Sequence, residues 1–291
     1  MKIVKVIGGL GNQMFQFALY KALQKQFPEE RVLLDLHCFN GYHKHHGFEI
    51  GQLFHADYEE ASLREVAKVA YPYPNYQYWR FGSRILPDRK TMLKEKPNYI
   101  FESTALTREG NTYYDGYWQH EEYFLPIREV LLQTFAFTGF EENGRNLETA
   151  HLVTNMNSCA IHVRRGDYIN DKLFRNICDI KYYQHAIQMM TEKVHPEIFC
   201  VFSDDIPWCH KHLPSLLGQA ETVYVDWNMG KDSFYDMHLM SLCHHQIIAN
   251  SSFSWWGAWL NTNKEKIVLA PKKWWNIKDA HSPISSNWIR I

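Results

Sequence analysis

Ala160-Ile-His-Val-Arg-Arg-Gly-Asp-Tyr168 starts as a buried β-strand and stops as a charged turn. Cys159, Ala160, Ile161 and Val163 form the apolar part of the strand. Arg164, Arg165, Gly166 and Asp167 then end it. Two guanidiniums at the carboxyl end of a strand make poor core. They make good anion chemistry, because arginine's planar fork meets phosphate oxygens two at a time. In an open α/β sheet, ligands bind at that end of the strands. The structural alternative is a surface Arg–Asp pair that closes the turn.

Working outward, the second half alternates strands with helices. Strands are expected at Ser158–Val163, Ile198–Ser203, Thr222–Val225, Gln246–Ala249 and Lys266–Leu269. Helices are expected near Ile180–Val194, Pro207–Leu213, Ser233–Cys243 and Phe253–Thr262. Aliphatic strands in repeated βα order predict a parallel sheet covered on both faces. The first half opens the same way, with a strand at Ile3–Ile7, a turn Gly8-Gly-Leu-Gly11 and a helix from Asn12 to about Phe27. That helix places Met14, Phe15, Ala18, Leu19, Ala22 and Leu23 on one face. A strand at Arg31–Leu36 completes a parallel crossover unit. From Cys38 to Asn111 the pattern is less legible, with Pro72, Pro74, Pro87 and Pro97 interrupting short helices. Thr112–Tyr117 reads as a strand and Glu121–Phe135 as a helix. Phe137–Asn146, with Gly139 and Gly144, reads as the linker, which divides the chain into domains at 1–140 and 141–291.

The 291 residues are 45% hydrophobic and 22% charged, the balance of a globular protein with ample core. A net charge of -1 without a basic patch argues against nucleic-acid binding. No apolar run reaches the roughly 18 residues of a membrane-spanning helix. Met1-Lys-Ile-Val-Lys-Val-Ile-Gly8 reads as a strand and turn, not a signal peptide. Cys38, Cys159, Cys178, Cys200, Cys209 and Cys243 lack CxxC spacing and suit reduced thiols of a cytosolic protein. His43, His45 and His46 fall in a Gly- and Tyr-rich stretch and read as a solvated loop, not a metal site. Aromatic content of 15% suits stacking on bases and sugars, and equally suits core filling.

Three strand ends carry polar clusters: Arg164-Arg165-Gly166-Asp167, Ser203-Asp204-Asp205, and Asn250-Ser-Ser-Phe-Ser254 running into Trp255-Trp256-Gly257. Parallel strands bring such ends to one edge. Hydroxyls beside the free N–H groups of a helix start form an anion site. Ser251 or Ser254, and Asp204 or Asp205, are also good helix caps. Together the clusters suit a diphosphate, with carboxylates left for a ribose or a base. A carboxylate can accept from a guanine N1–H and its exocyclic amine together. No GxxxxGK[ST] loop is present, and Gly8-Gly-Leu-Gly11 lacks the third glycine of the dinucleotide fingerprint.

His162-Val-Arg-Arg-Gly-Asp-Tyr168 resembles the HxRRxD signature of α-1,2- and α-1,6-fucosyltransferases and protein O-fucosyltransferases. Gly8-Gly-Leu-Gly-Asn-Gln-Met-Phe-Gln16, Asp115-Gly-Tyr-Trp-Gln119, Phe202-Ser-Asp-Asp205 and Ala249-Asn-Ser-Ser-Phe-Ser-Trp-Trp-Gly-Ala-Trp-Leu260 narrow the resemblance to the α-1,2-fucosyltransferases of glycosyltransferase family 11. It implies two Rossmann-like domains facing a cleft, the glycosyltransferase B type, with an acceptor domain first and a GDP-fucose-binding domain second. It also implies inverting transfer of L-fucose from GDP-β-L-fucose to the 2-hydroxyl of a galactoside, with no metal and no other cofactor. Arg164 is expected at the β-phosphate, His162 at the guanine or nearby ribose, and Asp204 or Asp205 at the nucleoside. Ser251, Ser252 and Phe253 are expected around the diphosphate and ribose, with Arg165 and Asp167 completing the donor set. Asn12, in the Gly-Asn-Gln turn, is expected to face the reaction centre from the first domain; the alternative is that it only caps the helix running to Phe27.

Asp204-Asp205 is not a DxD metal motif, and the arginines can neutralise the leaving diphosphate in a metal's place. For the base that activates the acceptor, Asp115 is carried forward as the catalytic carboxylate. Asp35, His37 and His120 stay open beside it, and a loose, oxocarbenium-like step would need no strong base. Two other readings are an α-1,6- or other fucosyltransferase using the same donor, and a non-catalytic nucleotide-sugar-binding protein. The likeness is to the bacterial members, which places the protein in the cytoplasm or peripherally at the inner face of the membrane.

Overall fold

Each half of the chain is built on its own parallel sheet. The computed structural model describes residues 1–140 and 144–291. One unit is Met1–Phe137 with Asp279–His281, and the other is Thr138–Lys278 with Ser282–Ile291. No helix among the described residues is long and apolar enough to cross a membrane.

The first unit holds β1 (Lys2–Lys5), β2 (Val32–Asp35), β3 (Met92–Lys94) and β4 (Thr112–Asp115), in the order β2-β1-β4-β3, all parallel. The chain steps from β1 outward to β2, then returns on the other side of β1. The strand order therefore reverses between β1 and β4. The carboxyl ends of two such strands bound the crevice where open α/β sheets take ligands. The helix Leu10–Gln26 starts two residues before the expected Asn12, because Gly9 occupies the N-cap in extended conformation. Gly8 sits at φ 101°, where a side chain would be strained. Met14, Phe15, Phe17, Ala18 and Leu19 are wholly buried, and so are Gln13 and Gln16.

The illegible stretch holds the helices Leu63–Val69, with a Ser62–Glu65 capping box, and Tyr76–Ile85, capped by Asn75. It also holds β3, a half-buried edge strand too short to show a period. The helix expected over Glu121–Phe135 forms only at Arg128–Thr134. The 3-10 turns Glu121–Tyr123 and Leu125–Ile127 precede it, where Pro126 removes a backbone donor.

The second unit holds β5 (Ser158–Val163), β6 (Ile198–Ser203), β7 (Glu221–Val225), β8 (His245–Ile247), β9 (Val268–Ala270) and β10 (Ile289–Arg290). All are parallel, in the order β10-β9-β8-β5-β6-β7. From β5 the chain runs outward through β6 and β7, then resumes on the other side of β5 with β8. The order reverses between β5 and β8, the strands that lead into Arg164 and Asn250. One face of the sheet packs Cys159, Ile161 and Val163 against Tyr182, Tyr183, Ile187 and Met190 of the helix Ile180–Val194.

Of the linker expected over Phe137–Asn146, residues 141–143 lie outside the described residues. Gly144–Asn146 is not linker but the start of a helix, Gly144–Asn155. The six cysteines are unpaired, with Cys159 and Cys200 fully buried in strands.

Candidate functional site

At the carboxyl edge of the second sheet, Arg164 is held by two carboxylates. Its Nη1 lies 3.1 Å from Asp204 and its Nη2 donates to Asp167 at 2.8 Å. Asp204 also accepts the backbone N–H of Arg165 at 2.8 Å. Gly166 makes this closure possible, since a Cβ there would lie 2.6 Å from the Asp204 carboxylate. Arg165 Nε donates to Asp205 at 3.0 Å while its guanidinium lies 4.3 Å from the centre of the Trp208 ring. Asp205 also accepts from the Trp208 backbone N–H at 3.1 Å, capping the helix Ile206–His212. Arg164, Arg165, Asp167, Asp204 and Asp205 thus form one cluster.

The arginine side chains keep 32% and 27% of their surface exposed, enough to meet a ligand. The Arg164–Asp167 pair is the exchangeable one, because Asp167 is 70% exposed and such pairs contribute at most about 1 kcal/mol. A cavity of about 290 Å³ opens beside them, lined by Arg164, Arg165, Tyr168, Cys178, Trp208 and Asn250 among others.

Across the strand-order reversal, Ser251 caps the helix Ser252–Leu260, accepting from Phe253 N at 3.3 Å. Ser254 is no cap. Its buried hydroxyl donates to the carbonyls of Ala249 and Ser251, each at 3.3 Å. The half-buried Ser252 hydroxyl has no side-chain partner among the described residues. Phe253 packs on His162, ring centres 5.9 Å apart. His162 is buried on β5, and among the described residues its Nδ1 has no hydrogen-bond partner. Burial, with Arg164 adding to it, pushes its pKa down to about 3, so the ring is neutral.

In the first unit, Asn12 is neither in the turn nor the helix cap. It is the third residue of the helix, and its Oδ1 accepts from Gln119 Nε2 at 2.7 Å. Gln13 donates to the carbonyls of Gly8 and Gly47, at 2.9 and 2.8 Å, and accepts from Glu49 N at 2.8 Å. Gln16 accepts from Ile7 N at 3.0 Å and donates to Gly116 O at 2.9 Å. Three amides on one helix therefore tie together the loops after β1 and β4.

Glu95 secures the second of these loops, accepting from Tyr117 N at 2.8 Å and Trp118 N at 2.9 Å. Burial pushes its pKa up to about 7. Gln13, Gln16, Gln119 and Glu95 are absent from the sequence-derived set. The amides at positions 13 and 16, on the buried face of an amphipathic helix, were the available signal. Asp115 does not join Asn12. It is ion-paired with Lys5, whose ammonium lies 4.1 Å from the centre of a Trp79 ring.

Residues 86–291 match the family model Glycosyl transferase family 11. The chain belongs to that family. It is 32% identical to an alpha-1,2-colitosyltransferase of Escherichia coli, over 99% of this chain and 98% of that protein. It is 30% identical to the O-antigen biosynthesis glycosyltransferase WbnK of Escherichia coli, over 98% of each chain. A galactoside 2-alpha-L-fucosyltransferase of Bos taurus is 28% identical across 34% of this chain and 27% of its own. Among solved structures, the NodZ alpha-1,6-fucosyltransferase soaked with GDP-fucose aligns at TM-score 0.51 and 15% identity, over 89% of this chain and 91% of that one. The fold is that of the glycosyltransferase B class, with two Rossmann-like units.

The buried neutral His162 has a consequence for this family 11 glycosyltransferase that can be measured apart from activity. In the unfolded chain the imidazole titrates near 6.5, whereas the folded protein refuses the proton down to about 3. The stability that depends on neutral His162 is complete above pH 6.5 and is lost as pH falls from there toward 3. The slope approaches one proton, about 1.4 kcal/mol per pH unit. Urea unfolding between pH 7 and 4 should show this dependence, and His162→Gln should flatten it. An unchanged slope in the variant would mean that the ring is not buried neutral.

Proposed function

We propose that this glycosyltransferase moves L-fucose from GDP-β-L-fucose, with inversion, to the 2-hydroxyl of a galactoside acceptor. The observation that carries the reading is Arg164, held by Asp204 at the carboxyl end of β5. The hydroxyl-bearing helix start at Ser251–Phe253 lies across the strand-order reversal. Breaking the fucosyl–phosphate bond leaves negative charge on the departing diphosphate and positive charge on the sugar. Preorganised donors aimed at that negative charge are worth about 2.7–4 kcal/mol each.

In this reading Arg164 takes the β-phosphate in exchange for Asp167, with Arg165 beside it. Ser251, Ser252 and Phe253 border the diphosphate and ribose. His162 offers a neutral ring nitrogen to the guanine or ribose, and Asp204 and Asp205 hold the arginines as well as facing the nucleoside. In this reading the second unit (141–291 in the sequence division) binds the donor, and the first (1–140), which carries Asn12, binds the acceptor. Asp115, committed to Lys5, is assigned to shaping the acceptor side. The arginines supply the charge that a metal would otherwise bring.

A second reading is favoured by the full-length likeness to a colitosyltransferase, since colitose is fucose without its 3-hydroxyl. A site that hydrogen-bonds a hydroxyl rejects an analogue lacking it by about 10⁴–10⁵. GDP release is therefore to be measured with GDP-fucose and with GDP-colitose, with and without galactosides, in EDTA. Release from GDP-fucose that rises with a galactoside and survives chelation supports the proposal. Preference for GDP-colitose moves the donor. A loss of about tenfold or more on chelation, restored by Mn²⁺, overturns the arginine-only account. The linkage of the product separates 2-hydroxyl from 6-hydroxyl transfer, and no release from either donor would leave a binding protein.

A further inference from the structure

The sequence leaves Asp115, Asp35, His37 and His120 open as the proton acceptor, and packing separates them. Asp115 is taken by Lys5. His120 uses both ring nitrogens, with Nε2 2.6 Å from His281 Nε2 and Nδ1 accepting from Glu122 N at 3.3 Å. Asp35 is surrounded by three donors: His37 N at 3.1 Å, His37 Nδ1 at 2.7 Å and the Tyr113 hydroxyl at 2.7 Å. His37 keeps Nε2 without a partner among the described residues. A carboxylate only accepts, so Nδ1 carries the proton and Nε2 the lone pair. An imidazole oriented by a carboxylate that is itself held by a third group is the arrangement of an activating base.

The location fits as well. His37 opens the 3-10 turn His37–Phe39 at the carboxyl end of β2, and its ring is 15% exposed. The neighbouring β1 is joined there by the hydrogen bond from Val6 N to Asp35 O, 3.0 Å. This is the sheet edge that carries the loops of Gly8 and Gly116. The turn runs on into partly buried aromatic rings. Phe39 meets Tyr42 at 6.3 Å, Tyr42 meets Tyr76 at 4.8 Å and Tyr76 meets Trp79 at 5.7 Å. Aromatic faces of this kind suit the apolar face of a sugar ring.

We propose that His37 is the general base that takes the acceptor's hydroxyl proton, with Asp35 and Tyr113 as its positioning residues. The inference rests on the transfer reaction proposed above. In the step, the acceptor O–H bond breaks and its proton passes to His37 Nε2. The oxygen bonds to the anomeric carbon as the bond from that carbon to phosphate breaks, and that electron pair leaves with GDP. The groups facing the ring are Asp35 from its own strand and Glu60 from the segment bridged to β2, with the Tyr113 hydroxyl behind Asp35. The hydrogen bond to Asp35 raises the His37 pKa above 6.5, burial opposes it, and the charges of Asp35 and Glu60 add to the rise. The adjacent Cys38 thiol is pushed up to about 12 by burial and stays neutral. Lys5 stands opposite Asp35 in the β1–β2 register and is balanced by Asp115.

The test is a kcat and pH profile of the full chain with whichever donor and acceptor the wild type turns over. His37→Gln should lower kcat by about 10²–10⁴, the range for losing a general base. The KM for the nucleotide sugar and the melting temperature should hold. The wild-type acid limb, above the ordinary histidine value, should vanish. Tyr113→Phe removes one donor from Asp35, strengthens its hold on His37, and should move the acid limb to higher pH. Should His37→Gln fail to fold, Tyr113→Phe decides alone. Full turnover with an unchanged acid limb in His37→Gln, or an unmoved limb in Tyr113→Phe, would overturn the assignment. GDP release by the wild type without acceptor is recorded first. A wrong donor therefore shows there, and a wrong base shows only in the variants.

Discussion

Arg164→Ala should reduce transfer by about 10³ or more, beyond the roughly 10²–10³ of a single neutral donor, because it removes a full charge from the leaving group. Arg164→Lys should recover only a small part. The reason lies in what the guanidinium does at once. It meets Asp204 with one nitrogen and Asp167 with another, and the remaining N–H groups of its fork stay available. A lysine ammonium is a single point. Turned toward Asp204 it cannot hold a phosphate with the same geometry, and turned toward phosphate it leaves Asp204 without its side-chain partner. Steady-state transfer and GDP calorimetry on both variants decide the matter. Near-normal turnover in Arg164→Ala would make this arginine a structural partner of Asp204 and nothing more. Arg165 should tolerate change better in catalysis but worse in packing, since its guanidinium lies over Trp208 and its Nε is spent on Asp205.

The second large effect should come from Asn12→Ala, and its direction separates positioning from stability. As a helix cap, asparagine would contribute about 1 kcal/mol of stability and nothing to turnover. The structure removes that role, because Gly9 stands at the cap. What Asn12 does is accept from Gln119, whose own Oε1 is buried without a partner among the described residues. Loss of the asparagine frees Gln119, and with it the loop that Glu95 and Gln16 fasten from the other side. Misplacing groups around a reacting centre by about 1 Å can cost about 10² in rate. The expected result is therefore a fall in kcat of about that size, an unchanged GDP affinity and a small drop in melting temperature. A variant that melts lower yet turns over almost normally would show that the Asn12–Gln119 bond serves only the fold.

Much of the architecture was legible because long elements carry a period. Ser158–Val163, Ile198–Ser203 and Ile180–Val194 form as read, each with an apolar pattern long enough to show its repeat. β3 and β10, with three and two residues, could not show one. The charged strand ends were legible for the same reason, as breaks in an apolar run. From the sequence alone follow the alternation of strands and helices through the second half, the opening parallel crossover unit of the first, and the polar clusters at Arg164, Asp204 and Ser251.

Tertiary structure alone decided strand order and partners. That β8 lies beside β5, bringing Asn250 and Ser251 to the edge beside Arg164, depends on the chain crossing back over its own sheet. The Asn12–Gln119 bond joins residues 107 apart, and the Lys5–Asp115 pair joins residues 110 apart. Asp35 and Tyr113, 78 positions apart, meet although their strands flank β1 and do not pair. A local periodicity reports which face of an element is buried, but not which distant element covers it. Whether a carboxylate is free or already answered by an ammonium, an amide or a hydroxyl is therefore settled only by packing.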